Sequence, residues 1–450
     1  MTQSEKPRLD LLGMSITILA LLILVAHATS WALSLEWLGR LLRLSKEFCS
    51  RPPHLAVADV LIWVTGALLF VRLIVERDWK TLRLLSLPGL LLAALAVASV
   101  FNAVNRFTAV AKAVEFAEYF VLLYLVFASV MATKERLLTA LNLWMLVGAA
   151  IVVWGLVHYL TDRKLRPDVD VSGPFADRNV YGGYLAMILP VAFGLAIWPA
   201  RWTAIGYGGI LVGVGLSTML AGGPLLGALA GIAVILAIRW HWGFALFAAG
   251  VVGLVIWGTP QLDRPDHMKT LRDSVGFFDE GDASAGATPN VRYLEWQAAM
   301  KPLTPGFHRD FGIPESRHVR QMMFGVGVGN YQINVDQYYG ALPKPNRNTT
   351  EPHTENLYLV LAVEAGIPAA LVFLWLIVAH LRRAAKGYLA TGDKMMKGLL
   401  LGCIGGMASL VVTNLFTNTL VHGTGPATVF LLALAAAAAT LAEREPSATK

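Results

Sequence analysis

At 450 residues, 56% hydrophobic and only 15% charged, with a mean hydropathy of +0.57, the chain is too apolar for a water-soluble globular domain. Its net charge of +7 is explained by Lys and Arg anchoring the cytoplasmic ends of membrane helices, and no basic, aromatic groove pattern points to nucleic acid. Two cysteines, Cys49 and Cys403, supply neither a disulfide framework nor a metal site.

In chain order, mostly apolar runs of about eighteen or more residues predict an all-α polytopic membrane protein with about twelve spans. They fall at 10–32, 56–76, 84–104, 112–132, 137–160, 179–198, 203–221, 223–239, 243–258, 355–380, 396–418 and 425–442. The first follows Lys6 and Arg8 but runs past signal-peptide length without a cleavage site, so it is expected to remain as a span. Between 203–221 and 223–239 stands Ala221-Gly222-Gly223-Pro224, a strong breaker that also suits a bend within one unit.

Charge sets the expected orientation. With the N-terminus inside, the cytoplasmic loops carry Arg72, Arg77, Lys80 and Arg83, then Lys134 and Arg136, Arg201, Arg239, and finally Arg382, Arg383 and Lys386, as the positive-inside rule requires. Both termini are then cytoplasmic. The outer loop 161–177 departs from the rule with Arg163, Lys164 and Arg166, and Arg178 opens the next helix. These cations either pair with Asp162, Asp168, Asp170, Asp177 or lipid headgroups, or form a site for an anionic ligand at the outer face.

Residues 259–354 form a polar insertion that separates a helical block at 1–258 from a second at 355–450. Connections of that length are functional or disordered, and its Trp, Tyr, Phe and paired charges predict a folded one. Thr288-Pro289 marks a helix start, with the helix running through Met300 and stopping near Pro302. Phe324-Gly325-Val326-Gly327-Val328-Gly329-Asn330-Tyr331 predicts a glycine-rich turn. Lacking strand–turn–helix context, it is not a dinucleotide loop; a tight backbone approach to helix ends or to a ligand is expected instead.

His353 is the leading catalytic candidate by position. It stands where the insertion meets the tenth span, and a helix N-terminus there suits an anion or a developing oxyanion. A neutral His could take a proton from an acceptor hydroxyl; alternatively it is a capping or interface histidine. Glu364 lies farther along, within an apolar stretch, where a carboxylate is either functional or held by hydrogen bonds to neighbouring helices or loop backbone. Gly366 and Pro368 are expected to loosen or kink that helix.

Four stretches in order then resemble the O-antigen ligase and polymerase superfamily. They are Asp177-Arg178-Asn179-Val180-Tyr181-Gly182 with Pro190; Arg292 four residues before Trp296; Gly325-Val326-Gly327-Val328-Gly329-Asn330-Tyr331; and His353-Thr354-Glu355-Asn356-Leu357-Tyr358 followed by Glu364-Ala365-Gly366. The resemblance runs from about Asp177 to Gly366, and the first five spans contribute only topology. It implies a GT-C-like enzyme of the bacterial inner membrane, active at the periplasmic face. Such an enzyme moves a glycan from an undecaprenyl-pyrophosphate donor to a hydroxyl of lipid A–core, of another lipid-linked repeat, or of a protein Ser or Thr.

The implied chemistry needs neither metal nor cofactor, because the pyrophosphate is already a good leaving group. The resemblance assigns His353 to activating or orienting the acceptor and Arg292 to holding pyrophosphate; charge placement adds Arg178 and Arg166. Glu355 stands where many relatives place the His, so either His353 or Glu355 serves as base. Asn356, Tyr358, Glu364, Gly366, Asp177, Asn179, Gly327, Gly329 and Asn330 are expected to position the site. The family's Ser-Arg signature near the eighth span is replaced by Leu220-Ala221-Gly222-Gly223-Pro224, so another arginine takes its place, the donor is held differently, or activity is lost. Ligase-like transfer is favoured. Competing readings are a transporter or flippase for a lipid-linked or anionic solute, and a non-catalytic partner in polysaccharide assembly.

Overall fold

A computed structural model describes residues 11–27, 32–34, 54–165, 172–175, 178–198, 212–216, 218–219, 222–240, 243, 291–304, 315–334, 338, 354–420 and 424–444. Its helices are α1 (Leu11–Ala26), α2 (Val57–Glu76), α3 (Leu87–Ser99), α4 (Arg106–Val130), α5 (Lys134–Leu165), α6 (Arg178–Ile197) and α7 (Gly222–Arg239). In the insertion lie α8 (Val291–Met300) and α9 (Glu315–Phe324), followed by α10 (Leu357–Glu364), α11 (Ile367–Ala390), α12 (Lys394–Thr413) and α13 (Gly425–Arg444).

Eight of the described helices are long and apolar enough to cross a membrane: α2, α4, α5, α6, α7, α11, α12 and α13. The chain is therefore built as a multi-pass helical membrane protein. The expected span at 10–32 is a shorter apolar helix, as is 84–104. Residues 244–258 and most of 203–221 lie outside the described residues.

Among the described residues the fold is all-helical apart from one short antiparallel pair, β1 (Ala32–Ser34) and β2 (His54–Ala56), which sets Leu33 opposite Leu55 beside α2. One expectation needs correction. The expected span 355–380 is two helices. Gly366 adopts φ 95°, outside helical geometry, and Pro368 in the first turn of α11 lacks the N–H that a continuous helix would use. α10 therefore ends, and α11 starts afresh.

Polar residues mark the helix starts. The Asp59 carboxylate accepts the N–H of Ala56 at 2.9 Å, Asn105 accepts that of Thr108 at 3.1 Å, and Asp393 accepts that of Met395 at 2.7 Å; each satisfies a donor that the helix itself leaves free. The centre is α6, α7 and α12, brought close by small residues. A Cβ on Gly194 would lie 2.5 Å from the Cα of Gly402, so the two backbones touch there, the usual way to gain packing where lipid gives no hydrophobic drive. The Ser409 hydroxyl donates across this crossing to the Ala186 carbonyl at 2.6 Å. On the periphery α2 exposes Val60, Trp63, Val64, Phe70, Val71 and Ile74, a face suited to lipid.

Candidate functional site

α10 organises the candidate site. Its N-cap, Asn356, sits in extended backbone and accepts the N–H of Leu359 at 3.1 Å. The N–H of Leu357 donates to the Asn414 carbonyl at 3.0 Å, and the Tyr358 hydroxyl donates to the Val411 carbonyl at 2.9 Å. The start of α10 is thus fastened to the end of α12. Asn414 is fully buried, and its Oδ1 takes both the N–H and the hydroxyl of Thr419, folding the connection after α12 against the motif.

Glu355, just before the cap, has φ 42°. An L-residue in left-handed backbone costs roughly 1–2 kcal/mol, and such strain gathers where structure is over-determined for function. Its carboxylate accepts a hydrogen bond from Asn179 Nδ2 at 3.2 Å, in the first turn of α6. Two motif segments 176 positions apart therefore meet at one end of the bundle. Thr354 beside them is buried, as are Thr413 and Asn414, and their Oγ1, Oγ1 and Nδ2 atoms have no partner among the described residues.

The far end of α10, about 12 Å away by helical rise, carries Glu364. Its backbone carbonyl accepts the N–H of Gly327 at 2.9 Å, the Val363 carbonyl accepts that of Val326 at 2.8 Å, and the Glu364 carboxylate accepts the N–H of Tyr331 at 3.2 Å. The glycine-rich turn is thereby strapped onto the end of α10. Gly325 (φ 67°) and Gly366 (φ 95°) permit it: a Cβ on Gly325 would lie 2.2 Å from the Glu364 carbonyl, and one on Gly366 2.2 Å from that of Met323. Gly327 backs onto Ala103 and Gly329 onto Thr108 and Lys112.

Asn330, fully buried, closes the other side. Its Oδ1 accepts the N–H of Asn105 at 2.7 Å and its Nδ2 donates to the Asn105 carbonyl at 3.1 Å. The Ser99 hydroxyl accepts the N–H of Val328 at 3.1 Å, and Asn102 donates to the Gly325 carbonyl at 3.0 Å. The turn therefore plugs the break between α3 and α4. A small apolar cluster of Ala298, Ala299, Val326, Tyr331, Tyr338 and Val363, with Tyr331 and Tyr338 stacked at 5.5 Å, seats α8 against α10.

The structure accordingly joins Asn179 to Glu355, and Glu364 and Gly366 to Gly325–Tyr331. The bond found for the Glu364 carboxylate is to the backbone N–H of Tyr331. Arg178 is exposed at the first residue of α6. Arg292 lies on α8, docked on α10, with its side chain outside the described part. His353, Asp177 and Arg166 lie outside the described residues.

Sequence reasoning overlooked Ser99, Asn102, Asn105, Asn414 and Thr419. Two signals stood in plain view: the Asn102/Asn105 pair between apolar runs, and the polar stretch Thr413-Asn414 to Thr417-Asn418-Thr419 between two others. Among the described residues no group of three or more His, Cys, Asp or Glu side chains converges to hold a metal. No protein-family model and no curated protein matches the chain.

Proposed function

We propose that this chain is a GT-C-like glycan transferase of the bacterial inner membrane. It moves a glycan from an undecaprenyl-pyrophosphate-linked donor to an acceptor hydroxyl at the periplasmic face, ligase-like, with lipid A–core as acceptor. The observation that carries this reading is the contact of Asn179 with Glu355. It brings the opening of α6 and the His-Thr-Glu-Asn segment, the two motif stretches richest in candidate chemistry, to one end of the bundle.

In the reaction, the acceptor oxygen bonds to the anomeric carbon as the bond from that carbon to the pyrophosphate oxygen breaks. The acceptor proton passes to His353 or Glu355, and undecaprenyl pyrophosphate leaves with its charge matched by Arg292, Arg178 and Arg166. The Asn179 amide holds the Glu355 carboxylate in one orientation, while the strained backbone at Glu355 sets its approach. Buried Thr354, Thr413 and Asn414 offer polar groups suited to a hydroxyl-rich ligand.

The test is glycan transfer in cells carrying His353→Ala or Glu355→Gln, with protein abundance followed by immunoblot. Transfer is expected to fall by at least about a hundredfold at normal abundance for whichever residue is the base. Product analysis separates acceptors: capped lipid A–core for ligation, a ladder of lengthened lipid-linked repeats for polymerisation, and modified Ser or Thr for protein glycosylation. Undiminished transfer in both variants would sink the reading and move solute transport ahead.

A further inference from the structure

At the end of the bundle opposite Asn179 and Glu355, α6 and α7 finish and α12 begins. Trp198 follows the last turn of α6, Arg239 is the last residue of α7, and Lys397 lies in the first turn of α12. The Arg239 guanidinium carbon is 4.6 Å from the centre of the Trp198 ring and the Lys397 ammonium 5.6 Å from it. Two cations thus converge on one indole. The indole Nε1 is buried and has no hydrogen-bond partner among the described residues.

Among the described residues neither Arg239 nor Lys397 makes an ion pair. Asp393, a turn before Lys397, is already engaged by the Lys134 ammonium and by the N–H groups of Met395 and Met396. The sequence holds no Asp or Glu between Asp177 and Asp263, so the stretches flanking Trp198 and Arg239 carry no acid of their own. Beside the cations, Ile238 and Trp240 present exposed apolar surface at 42% and 53%, and the Trp240 ring centre lies 6.0 Å from the Arg239 guanidinium.

We propose that this corner is a binding site for the phosphate of an anionic phospholipid headgroup. The Arg239 fork, the Lys397 ammonium and the Trp198 indole N–H are donors to phosphate oxygens, and the exposed Ile238–Trp240 face takes the upper acyl chain at the interface. The apolar flank is what selects a lipid over free phosphate. The site is independent of glycan transfer.

The test is thermal unfolding of the purified full-length chain in neutral detergent, with added phosphatidylglycerol, phosphatidylcholine or inorganic phosphate. Phosphatidylglycerol is expected to raise the midpoint and phosphatidylcholine to leave it unchanged. Arg239→Gln/Lys397→Gln should lose at least half of that rise, whereas Arg382→Gln/Lys386→Gln, removing two cations elsewhere, should keep it. Should the first double variant not fold, Trp198→Phe keeps an aromatic ring but loses the N–H along with the five-membered part of the indole, and is expected to show a reduced rise. An undiminished rise in the tested variant, an equal loss in the Arg382/Lys386 control, or a full rise with inorganic phosphate alone overturns the proposal.

Discussion

Gly325 and Gly366 face each other's elements across a gap too small for a methyl group, and both hold left-handed backbone. Ala at either position combines overpacking against backbone, which cannot move aside, with a disfavoured φ. We expect each variant to lose about 3 kcal/mol or more, read as a fall in unfolding midpoint of the detergent-purified protein. Gly392→Ala is the control. Its added Cβ meets nothing within 4 Å, so the change should stay within about 0.5 kcal/mol. Equal losses at all three positions would refute the strap between the turn and α10. Glu355 is the counterpart without glycine: its left-handed backbone persists because Asn179 in front and the Asn356 cap behind hold it.

Individual helices depend on their ends. α12 begins at Asp393, whose carboxylate both caps the helix and pairs with Lys134 at the start of α5. Partial burial pushes that carboxyl upward, but the Lys134 ammonium and the N–H groups of Met396 and Met395 outweigh it, leaving the group below the usual carboxylate range. A depressed value means the stabilisation is present above the unfolded value of about 3.9 and fades as pH falls toward the folded one. Asp393→Ala should cost about 1 kcal/mol at neutral pH, mostly the cap, since an ion pair this exposed adds little. Asp393→Ser should restore most of it, and both variants should approach the wild type on acidification below the carboxylate range. Thermal unfolding scanned against pH checks this; a gap between wild type and Asp393→Ala that persists in acid would contradict it.

Across the whole molecule, the two ends of the bundle differ in character. One gathers amides, hydroxyls, a strained Glu355 and the docked insertion helices; the other gathers Arg239, Lys397 and the Lys134–Asp393 pair. On the positive-inside rule the second end is expected in the cytoplasm, and the insertion on the translocated side. A phosphatase reporter joined at position 280 should be active, and one joined after Thr391 inactive; the reverse pattern would invert the topology and remove the periplasmic reading. Much of this arrangement was legible. The apolar stretches, the breaker at Gly222–Pro224 where α7 begins, the helix at 291–300 and the close approach of the glycine turn are all readable from residue type. The splitting of 355–380 into two helices was only half legible, since Gly366 and Pro368 announce a kink but not a complete restart.

What the sequence determined by itself is what depends on neighbours along the chain. Hydropathy over eighteen residues is a local sum, and Gly and Pro act on their own backbone, so the helical membrane class and most breaks follow without any structure. Tertiary structure alone decided which distant polar groups meet: Asn179 with Glu355, Asn330 with Asn105, Leu357 with the Asn414 carbonyl, and Trp198 with Arg239 and Lys397. The hydrogen-bonded pairs among them arise because a buried donor must find an acceptor wherever helix packing places one. Sequence distance carries no trace of that choice.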